Sequence, residues 1–172
     1  MPYTYEFPMV SATATMLIIQ RSESENLMQS TTMLARRAPH VEVYPNMLSL
    51  VGGFLNSGKE TIEGTAVREL KEETGLDIEE ARLRLFKVSS KPGTDPRAHV
   101  INVCFWVEIN AVEAASMVPA DDVSELTWVG VGGLLLPTPT PLAFNHNMLA
   151  VDGLRHWRLY NELPIEFRQG ML

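Results

Sequence analysis

A single cysteine, Cys104, stands in 172 residues, so no intramolecular disulfide can form and the chain suits a reducing compartment. It sits in an apolar run, Val100 to Val107, and reads as a small buried hydrophobe. Long hydrophobic runs are missing as well, since none approaches the roughly 18 residues that cross a bilayer. The N-terminus carries no charged region ahead of its apolar stretch, as a secretory leader would. The expectation is a soluble, cytoplasmic protein with no membrane partner. Positive charge is scarce: 14 Lys and Arg face 21 Asp and Glu, the net charge is −7, and no basic cluster occurs beyond Arg36-Arg37. A nucleic-acid polyanion is therefore a poor partner, and a small phosphate ester would need a metal bridge to such a surface. There is no internal repeat or low-complexity segment, and the length fits one domain over residues 1–172.

What the chain does have is acid at helical spacing. Gly52 to Leu76 reads GGFLNSGKETIEGTAVRELKEETGL, after a strand-like run from Met47 to Val51. Asn56-Ser57-Gly58 signals a turn, the pattern predicts a helix over Thr61 to Thr74, and Gly75 is its expected C-terminal cap. On that helix Glu69, Glu72 and Glu73 fall within roughly 100° of arc, because residues three and four apart share a face. Ala66, Val67, Leu70 and Thr74 occupy another arc that can pack on a core. Crowded carboxylates repel unless solvent or a cation relieves them, and hard oxygen donors select Mg²⁺, Mn²⁺ or Ca²⁺ over zinc. The plainer reading is a solvated, charge-rich helix without catalysis.

The stretch resembles the Nudix box, GX5EX7REUXEEXGU with U aliphatic, here spanning residues 53–76. Glu60, Arg68-Glu69-Leu70, Glu72-Glu73 and Gly75-Leu76 all stand at the pattern's spacing. The departure is upstream: six residues separate Gly53 from Glu60 where the pattern has five, as though Lys59 were inserted. The resemblance implies that Gly53, Glu69, Glu72 and Glu73 form the metal set, with Mg²⁺ as cofactor and Mn²⁺ as its substitute. It also implies that Glu60 and Arg68 support those carboxylates.

Around the box, the aromatic segment Met1 to Pro8 reads as an edge strand or arm, and Val10 to Ile19 and Thr32 to Arg37 read as strands. Arg36 and Arg37, at the end of the second, are both open as phosphate contacts or as a solvated strand end. Leu83 to Ser90 and His99 to Asn110 are further strands, joined by a loop in which Asp95, Pro96, Arg97 and His99 match the GRDPRGH wording of ADP-ribose pyrophosphatase-type Nudix proteins. Thr94 replaces an arginine there. Arg97 and Asp95 are substrate-binding candidates, and the bland reading is an Arg97–Asp95 pair. Ala111 to Ala120 reads as linker. Asp121 to Val129 is similar to the family's DDAxEARW segment, so Asp121, Asp122 and Glu125 are candidates for a further metal ligand or a base, and Trp128 for core ahead of a base-stacking platform. Gly130 to Leu136 reads as loop, and Pro137, Pro139 and Pro141 as a stiff connector. Phe144-Asn145-His146 resembles the family's AFDH, opening a final helix to about Tyr160 in which His146 is a cap or packing residue, with ligand contact as the alternative.

The resemblance, from about Val10 to Tyr160, implies an α/β fold: a Nudix-type α/β/α sandwich with a mixed sheet between the box helix and the C-terminal helix. It implies Mg²⁺-dependent hydrolysis of a nucleoside diphosphate linked to a second group, ADP-ribose first among the substrates. The catalytic set is Glu60, Arg68, Glu69, Glu72 and Glu73 with Asp122 and Glu125, and Arg37, Asp95 and Arg97 hold the small nucleotide substrate. A (d)NTP or NADH pyrophosphohydrolase would use the same box, and a non-catalytic nucleotide sensor is the alternative from another class. Pairing of N-terminal strands in a homodimer is a further implication.

Overall fold

The computed structural model describes residue 6 and residues 9–24, 26–136 and 141–168. The elements are, in order, β1 (Ser11–Gln20), β2 (Thr31–Arg37), β3 (Leu48–Ser49), β4 (Val51–Phe54), α1 (Ile62–Thr74), β5 (Arg84–Ser89), β6 (Val100–Ile109), α2 (Ala111–Ser116), β7 (Val123–Gly130), α3 (Val131–Leu134), α4 (His146–Glu162) and α5 (Ile165–Arg168). The sheet is mixed. Strand β1 runs parallel to β6 from Ser11↔Val100 to Gln20↔Ile109, and β5 lies antiparallel on the far side of β6.

Strand β1 is buried on both faces, which is why it reads as a nearly continuous apolar run. Ala14, Met16 and Ile18 pack with Ala66 and Leu70 of α1. Leu17 and Ile19, on the opposite face, pack with Leu149, Leu154 and Trp157 of α4. The expected sandwich follows: α1 covers one face of the sheet and α4 the other.

The second edge of β1 is shared. Thr13 to Met16 pair with β4, and Ile18 to Gln20 pair with β2. Strands β1 and β2 therefore diverge, and the segment Leu48 to Phe54 fills the fork, β3 on β2 and β4 on β1. The closest approach is at Gly52, whose φ is +150° and where a Cβ would lie 2.1 Å from the carbonyl oxygen of Ala14. Only glycine fits there.

Helix α1 ends at the expected cap, Gly75, which at φ 74° returns its N–H to Lys71, and it starts one residue later than expected, with the Thr61 side chain accepting the Gly64 N–H at 3.0 Å as N-cap. Two segments differ from expectation. Ala111 to Ala120 is not all linker: Asn110 accepts from the Val112 and Glu113 N–H groups, while Glu113 accepts from the Asn110 N–H, and this capping box starts α2. Gly130 to Leu136 holds the short helix α3. The tail also carries helix, since α4 runs to Glu162 and α5 follows. The N-terminal arm, except Glu6, and Pro137 and Pro139 lie outside the described residues, and with the arm goes the segment on which the homodimer expectation rests. Among the described residues no helix is long and apolar enough to cross a membrane.

Candidate active site

A cavity of about 390 Å³ opens at the fork between β1 and β2, and both acids and arginines line it. The acidic wall comes from α1. Glu69, Glu72 and Glu73 all reach the cavity, while Leu70 and Thr74 on the same helix are fully buried. Gly53 stands opposite Glu69, and a Cβ there would sit 2.2 Å from Glu69 Oε1. The missing side chain makes the room in which that carboxylate lies.

Arg68 organises the wall. Its Nε and one terminal nitrogen donate to the two oxygens of Glu60, each at 2.9 Å. The same terminal nitrogen donates to the Phe54 carbonyl at 3.0 Å, and the other donates to Glu69 and Glu72 at 2.8 Å each. Glu60 also accepts from the Asn56 N–H and the Thr65 hydroxyl. Its hydrogen bonds from Arg68 bring its pKa down to about 2. Glu60 thus stands behind the wall, tied to the cavity through Arg68.

Glu73 is in the opposite condition. It is 7% exposed and, among the described residues, accepts only a long hydrogen bond, 3.4 Å, from Gly52 N–H. Burial, and then the neighbouring charge of Glu69, push its pKa up to about 8. Burial also raises the pKa of Glu69, against the pull of Arg68. Among the described residues no three His, Cys, Asp or Glu side chains are drawn together tightly enough to hold an ion, and Arg68 takes Glu69 and Glu72 instead. The donor set nonetheless fits a hard divalent cation. It is all carboxylate, it includes a buried acid whose charge has no cation in contact, and it sits in a cradle that a Cβ at Gly53 would fill.

The late acids divide. The loop before β7 is strapped to the end of α1 by the Val118 and Ala120 N–H groups, which donate to the Thr74 and Glu73 carbonyls. This brings Asp121 and Asp122 to the cavity, Asp121 with a left-handed backbone at φ 50°. Glu125 does not join them. It is the cross-strand partner of Arg36 between β2 and β7, and their side chains meet at 2.6 Å on the exposed surface. That pairing corrects the grouping of Glu125 with the box acids and leaves Arg36 engaged away from the cavity.

Arg37 lies one residue on, past a register shift in the β2–β7 ladder, and it does line the cavity. Its guanidinium lies 5.3 Å from the ring centre of Phe144, and that of Arg97 lies 5.4 Å from the same ring and 4.7 Å from Phe54. Burial, then the charge of Arg97, lowers the pKa of Arg37. Asp95 does pair with Arg97, accepting its Nε at 3.0 Å, its terminal nitrogen at 2.8 Å and its backbone N–H at 2.9 Å. Burial opposes the Asp95 charge, yet Arg97 holds its pKa below the usual carboxylate range. The plainer expectation, an Arg97–Asp95 pair, is what the structure shows, and Arg97 so paired lies in the cavity wall against two aromatic rings.

Two further residues line the cavity beyond the site set expected from the sequence. Phe144, at φ 56°, is the ring both arginines share, and a bulky residue in that region is a backbone outlier of the kind that gathers at functional sites. His146 is buried at the cavity, and its Nδ1 accepts the Leu50 N–H at 3.0 Å, at the break between β3 and β4. Burial, then the charge of Arg37, pushes its pKa down to about 3. The ring is neutral, with its proton on Nε2.

Known proteins agree with this architecture. The chain is 36% identical over 115 residues to an ADP-ribose pyrophosphatase of Methanocaldococcus jannaschii, a match covering 67% of this chain and 61% of that protein. A MutT/nudix family protein from Enterococcus faecalis superposes with a TM-score of 0.74 at 23% identity, covering 90% of this chain and 64% of that one. The chain thus spans less than two thirds of the length of both relatives. The NUDIX domain of Shewanella oneidensis NrtR, solved with ADP ribose, superposes at 0.68 with 21% identity, covering 89% and 90% of the two chains, and NrtR has also been solved with a 27mer DNA. At that identity the two structures speak for the fold alone. The NUDIX domain profile matches residues 11–148. With the box acids on α1 and the profile spanning β1 to the start of α4, the chain belongs to the Nudix family.

Proposed function

We propose that the chain hydrolyses the pyrophosphate bond of a nucleoside diphosphate linked to a second group, and that its substrate is ADP-ribose, giving AMP and ribose 5-phosphate. The observation that carries this reading is one cavity lined both by carboxylates, Glu69, Glu72, Glu73, Asp121 and Asp122, and by the guanidinium groups of Arg37 and Arg97. A pyrophosphate between two organic groups is the ligand such a lining suits. The similarity to the Methanocaldococcus jannaschii ADP-ribose pyrophosphatase supports the choice of substrate.

Glu69, Glu72 and Glu73, with Gly53 leaving room, would hold Mg²⁺, or Mn²⁺ in its place. When bound, such a cation lowers the pKa of water and neutralises charge on phosphate oxygens. Arg68 positions the carboxylates, and Glu60 fixes Arg68. Arg37 and Arg97 draw the pyrophosphate by charge, Arg97 with one edge of its guanidinium already taken by Asp95. Asp121 or Asp122 takes the proton of the attacking water as its oxygen bonds to phosphorus and the bridging oxygen leaves with one phosphate. Net charge −7 and the acidic wall disfavour a polyanion at this site.

Incubation with Mg²⁺ and a panel of ADP-ribose, NADH, dATP, 8-oxo-dGTP and GDP-mannose, read by chromatography of products, tests this. AMP and ribose 5-phosphate formed fastest from ADP-ribose is the expected result. Faster turnover of dATP or NADH would reassign the substrate, and no turnover on any member would overturn the hydrolase reading in favour of a sensor.

A further inference from the structure

His146 uses only half of its ring within the fold. The side chain is 7% exposed, and its Nδ1 accepts the Leu50 N–H at 3.0 Å. A ring nitrogen that accepts carries no proton, so in the neutral ring the proton is on Nε2. Among the described residues Nε2 has no hydrogen-bond partner, and the polar side-chain atom that is both sealed and unpartnered is Asn102 Oδ1, not Nε2. The Nε2–H therefore opens on the cavity that the ring lines. Buried polar groups are nearly always hydrogen-bonded, so a donor held out from a buried side chain points to what the cavity takes up.

The surroundings narrow what that partner is. A pinned donor calls for an acceptor. His146 is the first residue of α4, a helix of 17 residues, so the positive end of the helix dipole begins at the cavity. The His146 ring lies 5.2 Å from that of Phe144, and the Arg37 guanidinium lies 5.3 Å from the same Phe144 ring. Burial and the charge of Arg37 together keep the imidazole neutral. The helix end and the guanidinium both favour an anion, and a neutral N–H adds a donor where a second cation would be repelled. In the substrate proposed above, the negative charge lies on the pyrophosphate. Resting on that reading, we infer that His146 is a phosphate-binding residue, its Nε2–H donating to a nonbridging oxygen of the phosphate that Arg37 attracts.

Two substitutions separate this role from packing, because each keeps the work of one ring nitrogen. Asparagine places an oxygen about where Nδ1 stands, so His146→Asn keeps the acceptor for Leu50 and loses the Nε2 donor. A glutamine amide reaches about to Nε2, so His146→Gln keeps the donor and strands the Leu50 N–H. Calorimetric binding of ADP-ribose without metal and urea melts are measured on both variants and the parent. The expected result is a crossing. His146→Asn is the more stable variant yet binds ADP-ribose at least about tenfold more weakly than the parent, while His146→Gln is the less stable and binds within about threefold of the parent. Long-range ¹⁵N–¹H spectra of the parent ring give a direct reading, in which inorganic pyrophosphate shifts the Nε2 signal and adenosine does not; needing no variant, they decide the matter if either variant fails to fold. Affinity that follows stability, undiminished binding by His146→Asn, or a ring signal moved by adenosine or unmoved by pyrophosphate would overturn the inference. Hydrolysis of ADP-ribose by the parent with Mg²⁺ is measured in parallel. The crossing without hydrolysis would sink the enzyme reading and leave the phosphate contact standing; hydrolysis without the crossing would do the reverse.

Discussion

Arg68 grips Glu60 through two parallel hydrogen bonds of 2.9 Å, and the same guanidinium reaches Glu69, Glu72 and the Phe54 carbonyl. A lysine has no fork and cannot reproduce that set. Arg68→Lys is expected to lower kcat/KM for ADP-ribose at least about tenfold, ~1.4 kcal/mol in the barrier. Steady-state kinetics on the folded variant checks it.

The same grip makes a prediction about acid. Glu60 has a folded pKa of about 2 against an ordinary 4.5, so the folded state keeps its charge longer than the unfolded chain does. Its contribution is complete above pH 4.5 and disappears as pH falls toward 2. Thermal melts of Glu60→Gln and the parent should differ at pH 6 and converge at about pH 2 to 3. A constant gap over that range would contradict the linkage.

Glu73 has the reverse sign. With a folded pKa of about 8 against 4.5, the folded protein holds a proton that the unfolded chain has released, so metal-free stability falls as pH rises between those values. Glu73→Gln removes the ionisation and keeps the shape. It should melt above the metal-free parent at pH 8.5, differ little at pH 5, and lose at least about tenfold in turnover. Unaltered turnover would remove Glu73 from the metal set.

The contrast between these two glutamates also marks how far sequence reasoning reaches. Helical spacing places Glu69, Glu72 and Glu73 together and Leu70 beneath them, because those relations are local and α1 obeys them. It says nothing of which acid is buried, since Glu73 owes its burial to β4 and to the loop strapped onto α1. Glu125 was misplaced for the same reason. Its neighbour is decided by the β2–β7 register, a pairing across 89 residues. The capping box at Asn110 and Glu113, by contrast, was present as a local signal and lost among small residues that read as linker.

His146 couples the fork to pH. Its folded pKa of about 3 lies below the ordinary 6.5, so the unfolded chain takes up a proton that the folded one refuses, and stability falls as pH drops from 6.5 toward 3. His146→Phe strands the Leu50 N–H and should cost about 1 to 3 kcal/mol at pH 7.5. It also removes the titration, so the gap to the parent should narrow in urea melts at pH 4.5. A gap that widens in acid would show the ring to be charged in the fold.

Gly52 and Gly53 are adjacent, and the same substitution at each should fail in a different way. A Cβ at Gly52 meets the Ala14 backbone at 2.1 Å in a strand that cannot move, at a φ that side chains avoid. Gly52→Ala should lose about 3 kcal/mol or more of stability, visible as a lowered urea midpoint or as insoluble protein. The nearest atoms to a Cβ at Gly53 are those of the Glu69 carboxylate, from 2.2 Å, and that end of a flexible side chain can swing aside. Gly53→Ala should stay within about 1 kcal/mol of the parent in stability, because the displaced group is a flexible side chain. It should nonetheless weaken Mn²⁺ binding and lower turnover at least about tenfold, since Glu69 no longer lies where Arg68 holds it. Unchanged metal affinity and turnover in a well-folded Gly53→Ala would mean that the position of the Glu69 carboxylate does not matter to the chemistry.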